Sequence, residues 1–233
     1  MANPEHVKLA SSGPNALDTW RKNNPDVRLD LEGADLSGVN LAGTKLRDAN
    51  LKGANLTGAR LTRANLAGAD LSGADLSEAD LGQAGMAGVD LTSATLTNVN
   101  LFWTDMKGAI LKKAMVRNCR MNRVCLIGAD LTEADFSQSN MIEADLRNAD
   151  LTNARFQSTN MNGADLSRAV MPGADFNLAM IRDSMWIATD VRGASFQQAS
   201  LHRSDFTLAK WDGTTKFPDR FDPENTGPKD VND

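Results

Sequence analysis

The residues of this chain able to do acid–base, nucleophilic or metal chemistry are 30 Asp and Glu, two Cys and two His. Paired carboxylates could serve general acid–base catalysis or hold a metal ion. Most of the Asp side chains, however, stand at one fixed place, immediately ahead of a large apolar residue, as in Ala34-Asp35-Leu36 and Ala69-Asp70-Leu71. A residue type placed by rule along a chain serves architecture before chemistry. Cys119 and Cys125 are six residues apart and not in a Cys-x-x-Cys motif. They read as a buried filler and a surface thiol. His6 and His202 lie far apart, which leaves little material for a His-based catalytic or metal site. No catalytic, cofactor-binding or metal-ligating residue is expected, and no cofactor.

Binding chemistry is better supplied. Between Met106 and Ala129 there is no acid, while Lys107, Lys112, Lys113, Arg117, Arg120 and Arg123 are all present. Phe102 and Trp103 stand just ahead of this band. Aromatics beside arginine make binding hot spots, or stack on nucleotides. Whether these residues meet depends on the element that carries them.

That element is a repeat of five. From Leu31 to Trp211 every fifth residue is large and apolar: 37 positions holding 21 Leu, 6 Met, 5 Phe, 2 Val, 2 Trp and 1 Ile. Two residues before each lies a second register, with Ala at 24 of 37 positions and mostly Val, Thr, Ser or Cys elsewhere. Fourteen of the 18 glycines fall two residues after the large position. A period of five matches neither the 3.6 of a helix nor the 2.0 of a strand. It fits a chain that turns a corner every five residues, pointing one large and one small side chain inward, with glycine where the corner needs unusual φ. Phe136, Phe156, Phe176 and Phe196 recur every 20 residues, as do Met121, Met141 and Met161. Four sides per coil would stack each set in a column.

Stretches such as Ala64-Asn65-Leu66-Ala67-Gly68 and Ala74-Asp75-Leu76-Ser77-Glu78 carry the motif A(D/N)LXX, and here the chain resembles the pentapeptide-repeat family. The resemblance implies an all-β fold: a right-handed quadrilateral parallel β-helix, about nine coils of 20 residues, roughly 44 Å long at strand spacing. Pro14 to Lys22 reads as an amphipathic helix with Leu17 and Trp20 on one side, an N-terminal α-helical cap. The expected organisation is 1–28 cap, 29–213 β-helix and 214–233 non-repeat tail. The repeat loses its phase after Trp211, because Lys216 falls on the next large position. Phe217 and Phe221 would anchor the tail, and the polar residues from Glu224 to Asp233 would be mobile.

Other classes fall away. Hydrophobic residues make up 41%, charged residues 24%, and the net charge is −5, as in a soluble globular protein. No apolar run reaches about 18 residues, so no membrane span is expected, and the polar N-terminus lacks a signal-peptide core. The cytoplasm is the expected location. The acidic balance disfavours specific nucleic-acid binding.

Sorted by side of a 20-residue coil, the surface is electrically uneven. The side containing Leu41 and Leu61 carries +3, that containing Leu31 −4, that containing Leu36 −3, and that containing Leu46 is neutral. Phe102, Trp103, Arg120 and Arg123 fall on the positive side, one coil apart. They form the candidate partner-docking patch of a non-enzymatic, rod-like scaffold for protein–protein interaction, a monomer or an end-to-end dimer with a protein partner. The alternative comes from the resemblance: some family members mimic DNA, bind DNA gyrase and protect it from quinolones or toxins. That activity goes with a strongly acidic surface and an apolar C-terminal dimer patch, and this chain departs from both. The small register predicts that Ala144→Leu overpacks the interior and lowers the melting temperature. An unchanged melting temperature would remove Ala144 from the interior.

Overall fold

A computed structural model describes residues 2–226. The part of the expected polar tail from 227 to 233 lies outside the described residues. Two short helices come first, α1 (Pro4–Ser11) and α2 (Pro14–Asn23). A solenoid follows. Its coils touch through single parallel bridges, each joining residues 20 apart, from Asp30 with Asn50 to Asp190 with Lys210. Among the described residues no longer strand forms.

The turn sets this arrangement. Every fifth residue from Gly33 to Leu208 has φ between 55° and 73°. In most turns the N–H of the following residue returns to a carbonyl three back, as from Ala34 to Leu31 at 3.0 Å. A left-handed third residue with this closure is a type II turn. The rest of the backbone bonds run between coils. The Leu31 and Gly33 N–H groups donate to Asn50 and Lys52 at 2.7 and 2.8 Å, and the Asn50 N–H donates back to Leu29 at 2.8 Å. The short segment between turns has room for one bridge residue, so the sheets never widen.

The Asp or Asn ahead of each large residue now has a mechanism. Its Oδ1 accepts the N–H two residues on, the first inside the turn: Ser37 to Asp35 at 3.1 Å, Thr57 to Asn55 at 3.1 Å, Ser77 to Asp75 at 2.9 Å. This Asx turn satisfies a donor that no other strand can reach. The Ser77 hydroxyl, then its N–H, hold the Asp75 carboxyl below its ordinary value of 3.8. The Arg192 guanidinium does the same for Asp190.

Every large position from Leu31 to Phe206 is buried, and so is nearly all of the small register. The four phenylalanines stack as one column, with ring centroids 4.9 to 5.1 Å apart and planes within 4°. Trp186 and Phe206 form a second column at 5.2 Å, edge-on to the first. Trp186 brings an N–H to this interior, and Ser184 in the small register accepts it at 2.8 Å. Thr104, Ser139 and Thr159 likewise return their hydroxyls to carbonyls of the preceding coil.

Both ends are covered. Leu17 is buried and Trp20 packs against the core. α2 matches the helix expected from Pro14 to Lys22; α1 is a further element, opened by Asn3-Pro4, an N-cap followed by proline. In α1, His6 Nδ1 accepts the free N–H of Asp30 at 3.0 Å, and the Asn3 N–H donates to the Asp30 carbonyl at 3.2 Å. At the other end the repeat does not stop at Trp211. One extra residue is taken up between Asp212 and Thr215, where a local turn closes at 3.0 Å. Lys216 then bridges Ser195, 21 residues back. Lys216 is thus a bridge residue, and Phe217 takes the large position, stacked 5.6 Å from Phe196. Phe221 packs on Phe206 and Phe217 at 5.4 and 5.3 Å. These rings replace the coil that would come next.

Acid should weaken the turns in a defined direction. A carboxyl held below 3.8 in the native state contributes stability that is complete above 3.8 and is lost as pH falls through the native value. Denaturant unfolding should therefore give a plateau down to about pH 4 and a decline below it. Asp75→Asn keeps the acceptor and should flatten part of that decline. Asp75→Ala should lower stability at neutral pH by about 1 kcal/mol, the size of a lost cap. Equal stabilities for the Asn and Ala variants at neutral pH would refute the turn-capping role.

Candidate partner-docking surface

The side of the solenoid containing Leu101 and Met121 is built by the same turn. Asn100 occupies the capping position and accepts the Phe102 N–H at 3.2 Å. Its amide donates to Asp80 Oδ1 at 2.7 Å. Asp80 also receives the Gly82 N–H and the Thr62 hydroxyl, each at 3.1 Å. This carboxylate is occupied as a structural acceptor. Phe102 and Trp103 then fill the two central turn positions, Trp103 with φ of 56°. It is the one aromatic residue among the left-handed corners of the described residues.

The four residues singled out from the sequence come together. The Phe102 and Trp103 rings lie within 7° of parallel, centroids 6.1 Å apart. One coil on, the Arg120 guanidinium lies 5.2 Å from the Phe102 centroid and that of Arg123 5.8 Å from Trp103. Cation–π attraction of this kind contributes about 0.5–1 kcal/mol at an exposed site. Trp103 is 53% exposed, and Phe102 is half-buried.

The basic band is less bare than its sequence suggests. Lys112 pairs with Asp130 at 3.0 Å, Lys113 with Glu133 at 3.7 Å, Arg117 with Asp135 at 2.5 Å and Arg123 with Glu143 at 2.7 Å. Each partner stands in the following coil, 18 or 20 residues on, where a reading confined to 106–129 does not look. Among the described residues Arg60 and Arg120 have no such carboxylate. Arg63 is held by Gln83 Oε1 at 2.8 Å, a neutral acceptor.

The structure adds a feature the sequence did not give. A groove of about 410 Å³ runs from Ala42 past Thr62, Gly82 and Gln83 to the Phe102 ring. Gly82 does not adopt the left-handed conformation, so the turn does not require glycine there. A Cβ there would lie 3.1 Å from Asn100 Nδ2 and 3.3 Å from Asp80 Oδ1, so glycine leaves room for that pair at the groove. Large apolar side chains also stand at outward positions near the C-terminal end, with Leu178, Met180, Met185 and Leu208 all exposed. Met180 and Met185 stand where the motif puts Asp or Asn, a departure legible once the register is known.

Cys119 is buried in the small register, and burial pushes its thiol up to about 12. Cys125 is half-buried, and neither cysteine is in a disulfide. Among the described residues no group of three His, Cys, Asp or Glu could hold a metal ion, and no helix is long and apolar enough to cross a membrane.

Known proteins give this geometry a context. The family profile described as pentapeptide repeats matches in eight copies, over stretches running from residue 27 to residue 184. No curated protein sequence matches the chain. Among solved structures, HetL, a pentapeptide repeat protein involved in heterocyst differentiation regulation in the cyanobacterium Nostoc sp., is similar at 28% identity with a TM-score of 0.62. The match covers 86% of this chain and 96% of HetL. Full-length QnrB1, a plasmid-mediated fluoroquinolone resistance protein, is similar at 17% identity and TM-score 0.66, over 75% of this chain and 92% of QnrB1.

A bulky residue in the left-handed region costs roughly 1–2 kcal/mol relative to glycine. Trp103→Gly removes that penalty along with two exposed ring contacts. Its melting temperature by calorimetry should equal or exceed that of the parent. A fall of several degrees would assign Trp103 to folding.

Proposed function

The chain belongs to the pentapeptide-repeat family, and from that premise we propose that it is a non-enzymatic rod that docks a protein partner. The proposed architecture is a right-handed quadrilateral β-helix of about nine coils, with 1–28 as the cap, 29–213 as the rod and 214–233 as the end segment. The proposed docking patch is Phe102, Trp103, Arg120 and Arg123, and the proposed location is the cytoplasm. The observation that carries this reading is the stacked Phe102–Trp103 pair under two guanidinium groups. The fold gains no core packing from it: neither ring fills the core, and one sits at a corner that suits glycine. Large exposed aromatics flanked by arginine are what interface hot spots are made of. The similarity to HetL, a protein involved in regulation, accords with a role other than catalysis.

The second reading, a DNA mimic acting on gyrase, rests on the sides of charge −4 and −3. The likeness to QnrB1 is one of fold. A supercoiling assay with purified gyrase decides it: the absence of both inhibition and relief of quinolone poisoning would remove this reading.

The docking reading is tested by affinity capture from the native host. Partners should be recovered by the parent protein and lost when Phe102, Trp103, Arg120 and Arg123 are all changed to Ser. The variant should keep the parental circular dichroism, because none of the four is in the core. Undiminished capture of every partner by the folded variant would overturn the patch.

A further inference from the structure

The arginines of this side form a frame. Arg60 and Arg63 stand at one end and Arg120 and Arg123 at the other, three coils apart, or about 14 Å at strand spacing. All four are exposed; Arg63 is held by Gln83 and Arg123 by Glu143, which leaves Arg60 and Arg120 as the members of each pair without such a partner among the described residues. Between them lies the groove over Thr62 and Gly82, closed at one end by the Phe102 ring. The floor is not positive: Asp80 lies there, held by Thr62, Gly82 and Asn100. The field therefore runs positive, then weakly negative and apolar, then positive along the rod.

Resting on the docking reading above, we propose that this side binds an extended acidic peptide segment of a partner protein, lying along the rod. Its carboxylates would sit four residues apart, with an apolar side chain between them. The spacing follows from geometry. An extended chain rises about 3.3 Å per residue, so four residues span about 13 Å, the length of the frame. Residues i, i+2 and i+4 of such a chain face the same way. The outer two meet the arginine pairs, and the middle one enters the groove above Gly82, against Phe102. An acid at the middle position would face Asp80 and be repelled, which gives the register a selective element. The rod's side-facing backbone groups are used between coils, so recognition passes through side chains.

A nucleic-acid strand also carries regularly spaced negative charge, but the surroundings disfavour it. The adjoining side containing Leu36 carries −3 and the opposite side −4. A duplex or a long strand would overrun the positive stripe onto the acidic flank. A peptide is narrow enough to stay on one side.

The test uses the full-length protein and a fluorescein-labelled, end-capped Ser-Glu-Ala-Leu-Ala-Glu-Ser peptide, read by anisotropy at low salt. Saturable binding should weaken as salt rises. It should fall about tenfold in an Arg60→Ser, Arg63→Ser double variant and in an Arg120→Ser, Arg123→Ser double variant, since two exposed ion pairs are removed each time. Thr62→Met lengthens a side chain that already lines the groove and should discriminate against the Leu peptide while leaving one with Gly at that place nearly unaffected. Peptides with Gln for Glu, or with Glu at the middle position, should bind weakly. Equal binding of the Gln peptide, or tighter binding of an oligothymidylate of matched charge, would overturn the proposal. If capture of the native partner needs the patch but the acidic peptide fails to bind, docking stands and the acidic-peptide assignment falls.

Discussion

One constraint governs this molecule: the chain must close a turn every five residues, with the same corner residue held at φ near 60°. Only then does each short segment reach the one 20 residues later and bond to it. No coil has enough internal hydrogen bonds to stand alone, so each coil is held by its neighbours. Register errors are excluded because a slip would turn every large side chain out of the core. Glycine suits the corner best, yet most corners hold other residues, and the accumulated strain is carried by the inter-coil ladder and the buried core.

The interior follows from the same turn. A segment with one bridge residue presents one large and one small side chain inward, so the axis is filled by stacking like on like. The absence of Tyr has its reason here. A phenolic hydroxyl would reach an axis where the only acceptors are already bonded. Trp186 shows what a polar ring needs, since its N–H is accepted by Ser184 where the small register usually has Ala. The core changes from leucine in the first half to aromatic columns near the C-terminal end, where Phe217 and Phe221 finish the stack.

The outer surface carries function by exception. An Asp before a large residue is a turn cap, as Asp35 and Asp75 show, and its carboxylate is not evidence of catalysis. Information lies where the rule is broken: Trp103 at a corner, Arg120 in place of a cap, Gly82 where the turn does not ask for it. The repeat, the inward registers, the 20-residue column of phenylalanines and the placing of Phe102, Trp103, Arg120 and Arg123 on one side were all legible in the sequence. Each depends only on counting in fives and twenties. Helix α1 was missed because eight residues with one buried side chain give little periodicity to read.

The sequence by itself determined the period, the core and the sidedness of charge, because these are properties of residue spacing along a chain whose turns are all alike. Three things belonged to the tertiary structure. The first is the one-residue slip that makes Lys216 a bridge and packs Phe217 against the core, a choice between competing packings at the end of the rod. The second is the quenching of the basic band by Asp130, Glu133, Asp135 and Glu143, since charges far apart in sequence meet only across coils. The third is the groove over Gly82, bounded by residues from several coils. Spacing says which residues share a side. Contact distances decide which charges remain free there and where a partner has room.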